Sequence, residues 1–171
     1  MIKLESGIYP VWDDFSLELT SDLTFSPATI YHLYGANGSG KSSFIEELLI
    51  PSLRNQEEIF LLYFEQQMHF QIQAVKAYAS IMYPRREIHN EMDTIDYLLN
   101  NLLLNYNREP RPCFIVMDES PYELKIYDFI KQNILDYCLI YSAHSELLPA
   151  TKTLEFIPVS SSFSRVYVSI N

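Results

Sequence analysis

Glycine is nearly missing from this sequence. Four occur in 171 residues, three of them lie between Gly35 and Gly40, and none follows. Beyond Gly40 every turn must be made without the residue that enters left-handed backbone most freely. Positive charge is also scarce: 12 Lys and Arg against 22 Asp and Glu give a net charge of −10. A sequence-independent nucleic-acid surface needs clustered cations to displace counterions. The only basic cluster here is Arg85–Arg86, so nucleic acid is excluded as a partner. Two cysteines, Cys113 and Cys138, stand in apolar runs without metal-ligand spacing and read as reduced core thiols. No run reaches the roughly 20 apolar residues of a spanning helix, and "MIKLESGIYP" lacks the apolar stretch of a signal peptide. These absences predict a cytoplasmic protein, peripheral at the inner face of a membrane only if a partner brings it there.

Apolar residues are plentiful: 48% of the chain, with 13 Tyr and 10 Phe, enough for a packed core. The length predicts one domain spanning 1–171. "SLELTSD" (Ser16–Asp22) alternates apolar and polar residues like an edge strand. Thr29–Gly35, Glu58–Glu65, Cys113–Glu119 and "YCLIYSAH" read as buried strands, and "TLEFIPV" and "SRVYVSI" as closing strands around a turn at Ser160–Ser164. "KSSFIEELLIPSLR" has helical periodicity and should end near Pro51. Gln71–Tyr83, Glu91–Tyr106 and "PYELKIYDFIKQNI" are further helices. Apolar strands alternating with helices predict an α/β fold, a mainly parallel sheet flanked by helices.

The glycine cluster explains the composition. Gly35-Ala36-Asn37-Gly38-Ser39-Gly40-Lys41-Ser42 satisfies G-x-x-x-x-G-K-[ST] between a strand and a helix, the context that a phosphate-binding loop (P-loop) requires. Its glycines let successive backbone N–H groups point inward at phosphate oxygens, with a helix N-terminus behind them. Lys41 would reach the β- and γ-phosphates, and Ser42 would ligate Mg²⁺.

The apolar strands end in chemistry. "CFIVMDES" sets Asp118 and Glu119 at a strand's C-terminal end, where ligands bind in open α/β sheets. Asp118 would hold Mg²⁺ and Glu119 would act as general base on the attacking water. "CLIYSAHS" places His144 beyond another strand, able to donate to a γ-phosphate as charge develops. "LLYFEQQ" offers Gln66, ahead of Gln67, as a group reaching Mg²⁺ or the attacking water. His32, His69 and His89 have no such setting and read as structural.

Together these segments resemble the ATP-binding cassette (ABC) ATPase family. "GANGSGKSS", through Ser43, is similar to its Walker A, "CFIVMDE" to its Walker B, "YFEQ" to its Q-loop and "IYSAHS" to its His switch. The resemblance implies a P-loop NTPase fold, ATP and Mg²⁺ as ligands, and an upstream aromatic that stacks on adenine. Tyr9 is the best match for that aromatic and Trp12 the next. It also implies a dimer joined through the nucleotide face, homo- or heteromeric, in which a glycine-rich LSGGQ signature caps the partner's ATP. The chain departs from the family here. The segment before the Glu91 helix is "REIHNEMDT" (Arg86–Thr94), without serine or glycine, and "SPYELK" does not match the D-loop. The short distance between the Walker segments implies a trimmed helical subdomain.

Two functions follow from the resemblance. One is an ATPase with Lys41, Ser42, Gln66, Asp118, Glu119 and His144 at work, driving a partner such as a membrane transporter. The other is a non-catalytic ATP-binding subunit whose site a partner completes. A nucleotide or small-molecule kinase would need an arginine-bearing lid, for which only Arg85–Arg86 and Arg108–Arg111 are available.

Overall fold

The computed structural model describes residues 1–82 and 88–170. In chain order its elements are β1 (Ile2–Leu4), β2 (Gly7–Trp12), β3 (Phe15–Leu19), β4 (Leu23–Phe25), β5 (Thr29–Gly35), α1 (Lys41–Phe44), a π-helical turn (Ile45–Leu49), α2 (Ile50–Arg54), β6 (Phe60–Phe64), α3 (His69–Met82), α4 (Glu91–Arg108), β7 (Cys113–Asp118), α5 (Glu123–Asn133), β8 (Tyr137–Ser142), β9 (Lys152–Ser160) and β10 (Phe163–Ile170). Tyr83, the Arg85–Arg86 pair and the start of the Arg86–Thr94 segment lie outside the described residues.

Eight strands form one sheet in the order β2-β3-β10-β9-β5-β8-β7-β6, and β1 and β4 pair separately. The run from β9 through β5, β8 and β7 to β6 is parallel throughout. Parallel strands are stable when both faces are covered, and the packing here obeys that rule by strict alternation. Phe114 and Val116 of β7, with Cys138 and Ile140 of β8, face a core that contains Phe44, Leu49 and Leu53. Cys113, Ile115 and Met117, with Leu139 and Tyr141, face a second core built on α4 and α5 through Ile95, Leu99, Ile126 and Ile130. Both cysteines are buried free thiols. A small third cluster, Val75, Ala79, Ile88 and Tyr97, joins α3 to α4. Among the described residues no helix is long and apolar enough to cross a membrane.

Two expectations need correction. The strand within Ser16–Asp22 is not an edge: β3 lies between β2 and β10. Its alternation, Leu17 and Leu19 buried between half-buried Ser16 and Glu18, reports that one face is covered and says nothing of lateral neighbours. The true edge is β2, which carries Pro10 at a register shift, where a missing N–H is tolerated. Nor does the first helix end near Pro51; it runs on through α2 to Arg54. A proline inside an α-helix clashes with the carbonyl four residues back and leaves it without a donor. Here the preceding turn is widened, with the Ile50 N–H bonded to the Ile45 carbonyl five residues back. The Ser52 hydroxyl then donates to the Leu48 carbonyl at 2.7 Å.

Phe44 ties the glycine loop to this sheet. It is fully buried in the first helix, with its ring 6.5 Å from that of Phe25 and 5.5 Å from that of Phe156. Truncating it leaves a cavity that a continuous helix on a rigid sheet cannot close. We therefore expect Phe44→Ala to cost about 3–5 kcal/mol in unfolding free energy, read from the midpoint and slope of a denaturant titration.

Candidate functional site

The loop between β5 and α1 is shaped by crowding at its two ends. A Cβ on Gly35 would stand 2.7 Å from the Phe156 carbonyl oxygen, so only glycine lets β9 approach there. Gly40 has φ +94°, and a Cβ on it would meet Leu17 and Phe15 at 2.9 Å. Between them Ala36, Asn37 and Gly38 face solvent, while Ser39 is buried. Lys41 opens the helix with its side chain 5% exposed. Its ammonium donates to the carbonyls of Gly35 at 3.0 Å and Ala36 at 3.2 Å, holding the loop closed on itself.

Facing the loop is the end of β7, a strand buried at every position. Asp118 is 1% exposed and its Oδ1 accepts from the Ser142 hydroxyl at 2.5 Å. At the next residue the chain turns sharply: Glu119 has φ +47°. A non-glycine residue there costs about 1 kcal/mol or more. The Glu119 N–H offsets part of this by bonding to the Ser142 hydroxyl oxygen at 3.0 Å and the Ser142 carbonyl at 3.2 Å. The turn aims the Glu119 carboxylate back at the loop. Gln66 Nε2 donates to its Oε2 at 2.7 Å, and Lys41 Nζ lies 3.6 Å from its Oε1. His144 Nε2 lies 3.7 Å from the same Oε1.

The structure thus brings Lys41, Gln66, Glu119 and His144 together from four separate segments. Beside them is a cleft of about 370 Å³ lined by Trp12, Phe15, Asn37, Gly38, Gly40, Lys41, Ser42, Ser43, Gln66 and Glu119. Tyr9 does not line it: its ring packs against the core and its hydroxyl donates to the Glu5 carbonyl at 2.6 Å. The aromatic at the mouth is Trp12, whose indole N–H donates to the Ser43 hydroxyl at 3.2 Å. Arg111, one of the candidate lid arginines, instead donates to the Glu57 carbonyl and Glu109. It precedes β7 and so sits at the opposite end of the strand from Asp118.

Sequence reasoning missed three residues. Ser142 touches both carboxylate residues; the signal was a serine at the end of an apolar strand, in register with Asp118. Phe15 beneath Gly40 carried no readable signal. Glu123, in the first turn of α5, is buried, and no described group donates to its Oε2. Burial first, and then the negative charge of Glu119, push its carboxyl up to about 7.

The field around Asp118 is negative. The Tyr63 phenol is pushed up by burial and then by the charges of Asp118, Glu46 and Glu65, with Arg54 opposing. Among the described residues, however, no three His, Cys, Asp or Glu side chains converge on a metal position. The start of α4 is capped by the Asn90 side chain, and Asp93 reaches back to the residue before the cap. Asn90 Oδ1 accepts from the Asp93 N–H at 2.9 Å, and Asp93 Oδ2 accepts from the His89 N–H at 2.9 Å.

No protein-family model matches the chain, and no curated protein sequence does. Among solved structures it is similar to one described as the ATP-binding subunit of an ABC transporter, with 12% identity and a TM-score of 0.53. That likeness covers 99% of this chain and 90% of the other. At this identity it speaks for the fold, an α/β architecture with a mostly parallel sheet.

Two outcomes follow from the geometry. Glu119→Ala and Glu119→Gly lose the same polar contacts, so their difference reads the left-handed strain that glycine relieves, less the extra chain entropy glycine loses on folding. The glycine variant should be the more stable, by about 0.5–1 kcal/mol net, measured by denaturant unfolding. Glu123 keeps its proton to about pH 7 when folded and to about 4.5 when unfolded. The folded state therefore binds the extra proton between those values, and stability declines as pH rises through that window. Thermal melts of the wild type should fall by a few degrees across it, and those of Glu123→Gln should be flatter.

Proposed function

We propose that residues 1–171 form one ATP-binding domain of ABC type that hydrolyses Mg·ATP to drive a conformational change in a partner. The observation that carries this reading is the convergence of Lys41, Gln66 and His144 on the Glu119 carboxylate beside the glycine loop. Loop N–H groups from Gly35 to Ser42, with Ser43 beyond them, hold the phosphates. Lys41 exchanges its two loop carbonyls for the β- and γ-phosphate oxygens. Of the two aromatics considered for adenine, position favours Trp12 over Tyr9.

The hard oxygen donors Ser42 and Asp118, in the negative field that Tyr63 registers, fit Mg²⁺, which takes few protein ligands and completes its shell with phosphates and water. When bound, Mg²⁺ neutralises charge on the β- and γ-oxygens. Glu119 accepts the proton of the attacking water. Gln66, released from Glu119, orients that water or reaches the metal, and His144 donates to the γ-phosphate as its charge grows. With a net charge of −10, the expected partners are proteins and not nucleic acid. The domain is cytoplasmic, at a membrane's inner face only through a transporter subunit.

A second reading, a non-catalytic ATP-binding subunit completed by a different chain, is favoured by one observation. The first turn of α4 carries Glu91 and Asp93, and its Asp93 N–H is taken by Asn90. A second copy would present two carboxylates to a phosphate there. This favours a heteromeric over a homomeric dimer through the nucleotide face.

Trp12 is the only tryptophan and lines the cleft, so its fluorescence reports on the ligand directly. ATP titration should give a saturable change that Lys41→Ala abolishes. Turnover of Mg·ATP should fall by about a hundredfold or more in Glu119→Gln. Binding with no turnover in either protein would select the second reading, and no fluorescence response in the wild type would reject both.

A further inference from the structure

Gln71 belongs to none of the segments that carried the functional reading, yet it makes two contacts just before Gln66, with Tyr63 and Glu65. Strand β6 is an edge of the sheet, paired only with β7. An edge strand leaves every second N–H and C=O on its outer side without a strand partner. At the end of β6 those groups are the Tyr63 carbonyl and the Glu65 N–H. The Gln71 side chain meets both: its Nε2 donates to the Tyr63 carbonyl at 2.7 Å, and its Oε1 accepts from the Glu65 N–H at 3.2 Å. One primary amide thus offers the donor and acceptor that a further strand would offer.

The connection that this amide closes is short. Phe64, between the two bonded residues, is fully buried, and Met68 is 3% exposed. The Ile72 N–H bonds to the Met68 carbonyl at 2.8 Å, fixing the first turn of α3. Gln66 therefore leaves a segment held at both ends, and its Nε2 stands 2.7 Å from Glu119 Oε2. Only a primary amide of glutamine length meets both demands. Leucine offers neither group, and glutamate offers only the acceptor.

We propose that Gln71 is a positioning residue: it clamps the end of β6 so that Gln66 reaches the Glu119 carboxylate. The clamp stands on geometry alone; its effect on turnover rests on the ATPase reading above.

The test uses the full chain. In amide-resolved NMR of the nucleotide-free protein, Gln71→Leu should speed exchange of the Glu65 N–H roughly five- to thirtyfold. It should also move the Gln66 side-chain amide resonance to where Glu119→Ala moves it. Exchange along β7 should not change. Gln71→Glu keeps the size and the acceptor and should shift Gln66 in the same direction, which keeps the test open if the leucine variant folds poorly. A Gln66 resonance unmoved in both variants overturns the proposal. With Mg·ATP, Gln71→Leu should lower kcat and leave the Trp12 titration midpoint unchanged, and it should add no loss on top of Gln66→Ala. A further loss in the double variant also overturns it. A wild type without turnover would reject the ATPase reading, while the resonances still decide the clamp.

Discussion

One hydroxyl group organises the end of the sheet that faces the glycine loop. Ser142 Oγ donates to Asp118 and accepts from the Glu119 N–H, so a single buried side chain fixes two successive carboxylate residues on the neighbouring strand. Without it Asp118 would be a buried carboxylate short of a donor, and the left-handed turn at Glu119 would lose part of what compensates it. That turn separates the roles of the two acids. Asp118 stays sunk in the strand, and Glu119 swings out to meet Lys41, Gln66 and His144.

The scarcity of glycine and the strain at Glu119 are one trade-off. At Gly35 and Gly40 a side chain would collide with the neighbouring strand or with the residues beneath the loop, so glycine is obligatory there. At Glu119 the backbone also enters the left-handed region, but there the side chain is the one that meets Lys41, Gln66 and His144. The fold carries local strain where a side chain makes contacts and uses glycine where a side chain cannot fit.

Electrostatics in the site are arranged around absence as well as contact. Among the described residues Lys41 is the buried cation, and it is shared among two carbonyls and one carboxylate. Asp118, Glu46 and Glu65 add negative potential that Arg54 offsets only in part. Glu123, buried behind Glu119, responds by holding its proton toward neutral pH.

The sequence alone determined the α/β class, the parallel run of strands, the loop and its lysine, and the strand-end positions of Gln66, Asp118, Glu119 and His144. These were legible because the signals are local: apolar runs, motif spacing, and the rule that ligands meet a parallel sheet at its C-terminal ends. Strand neighbours were not legible, since the alternation of β3 records a covered face and is blind to what lies beside it. Nor was the passage of the helix through Pro51, which depends on a widened turn several residues upstream. The tertiary structure decided that Trp12 and not Tyr9 lines the cleft, because the inward or outward sense of β2 is set by its register against β3. It decided likewise that Ser142 and Glu123 lie beside Asp118 and Glu119, and that Gln71 bonds the end of β6. Each acts on residues distant in the chain, or across a strand edge, and such contacts exist only once the sheet has fixed which strands are neighbours.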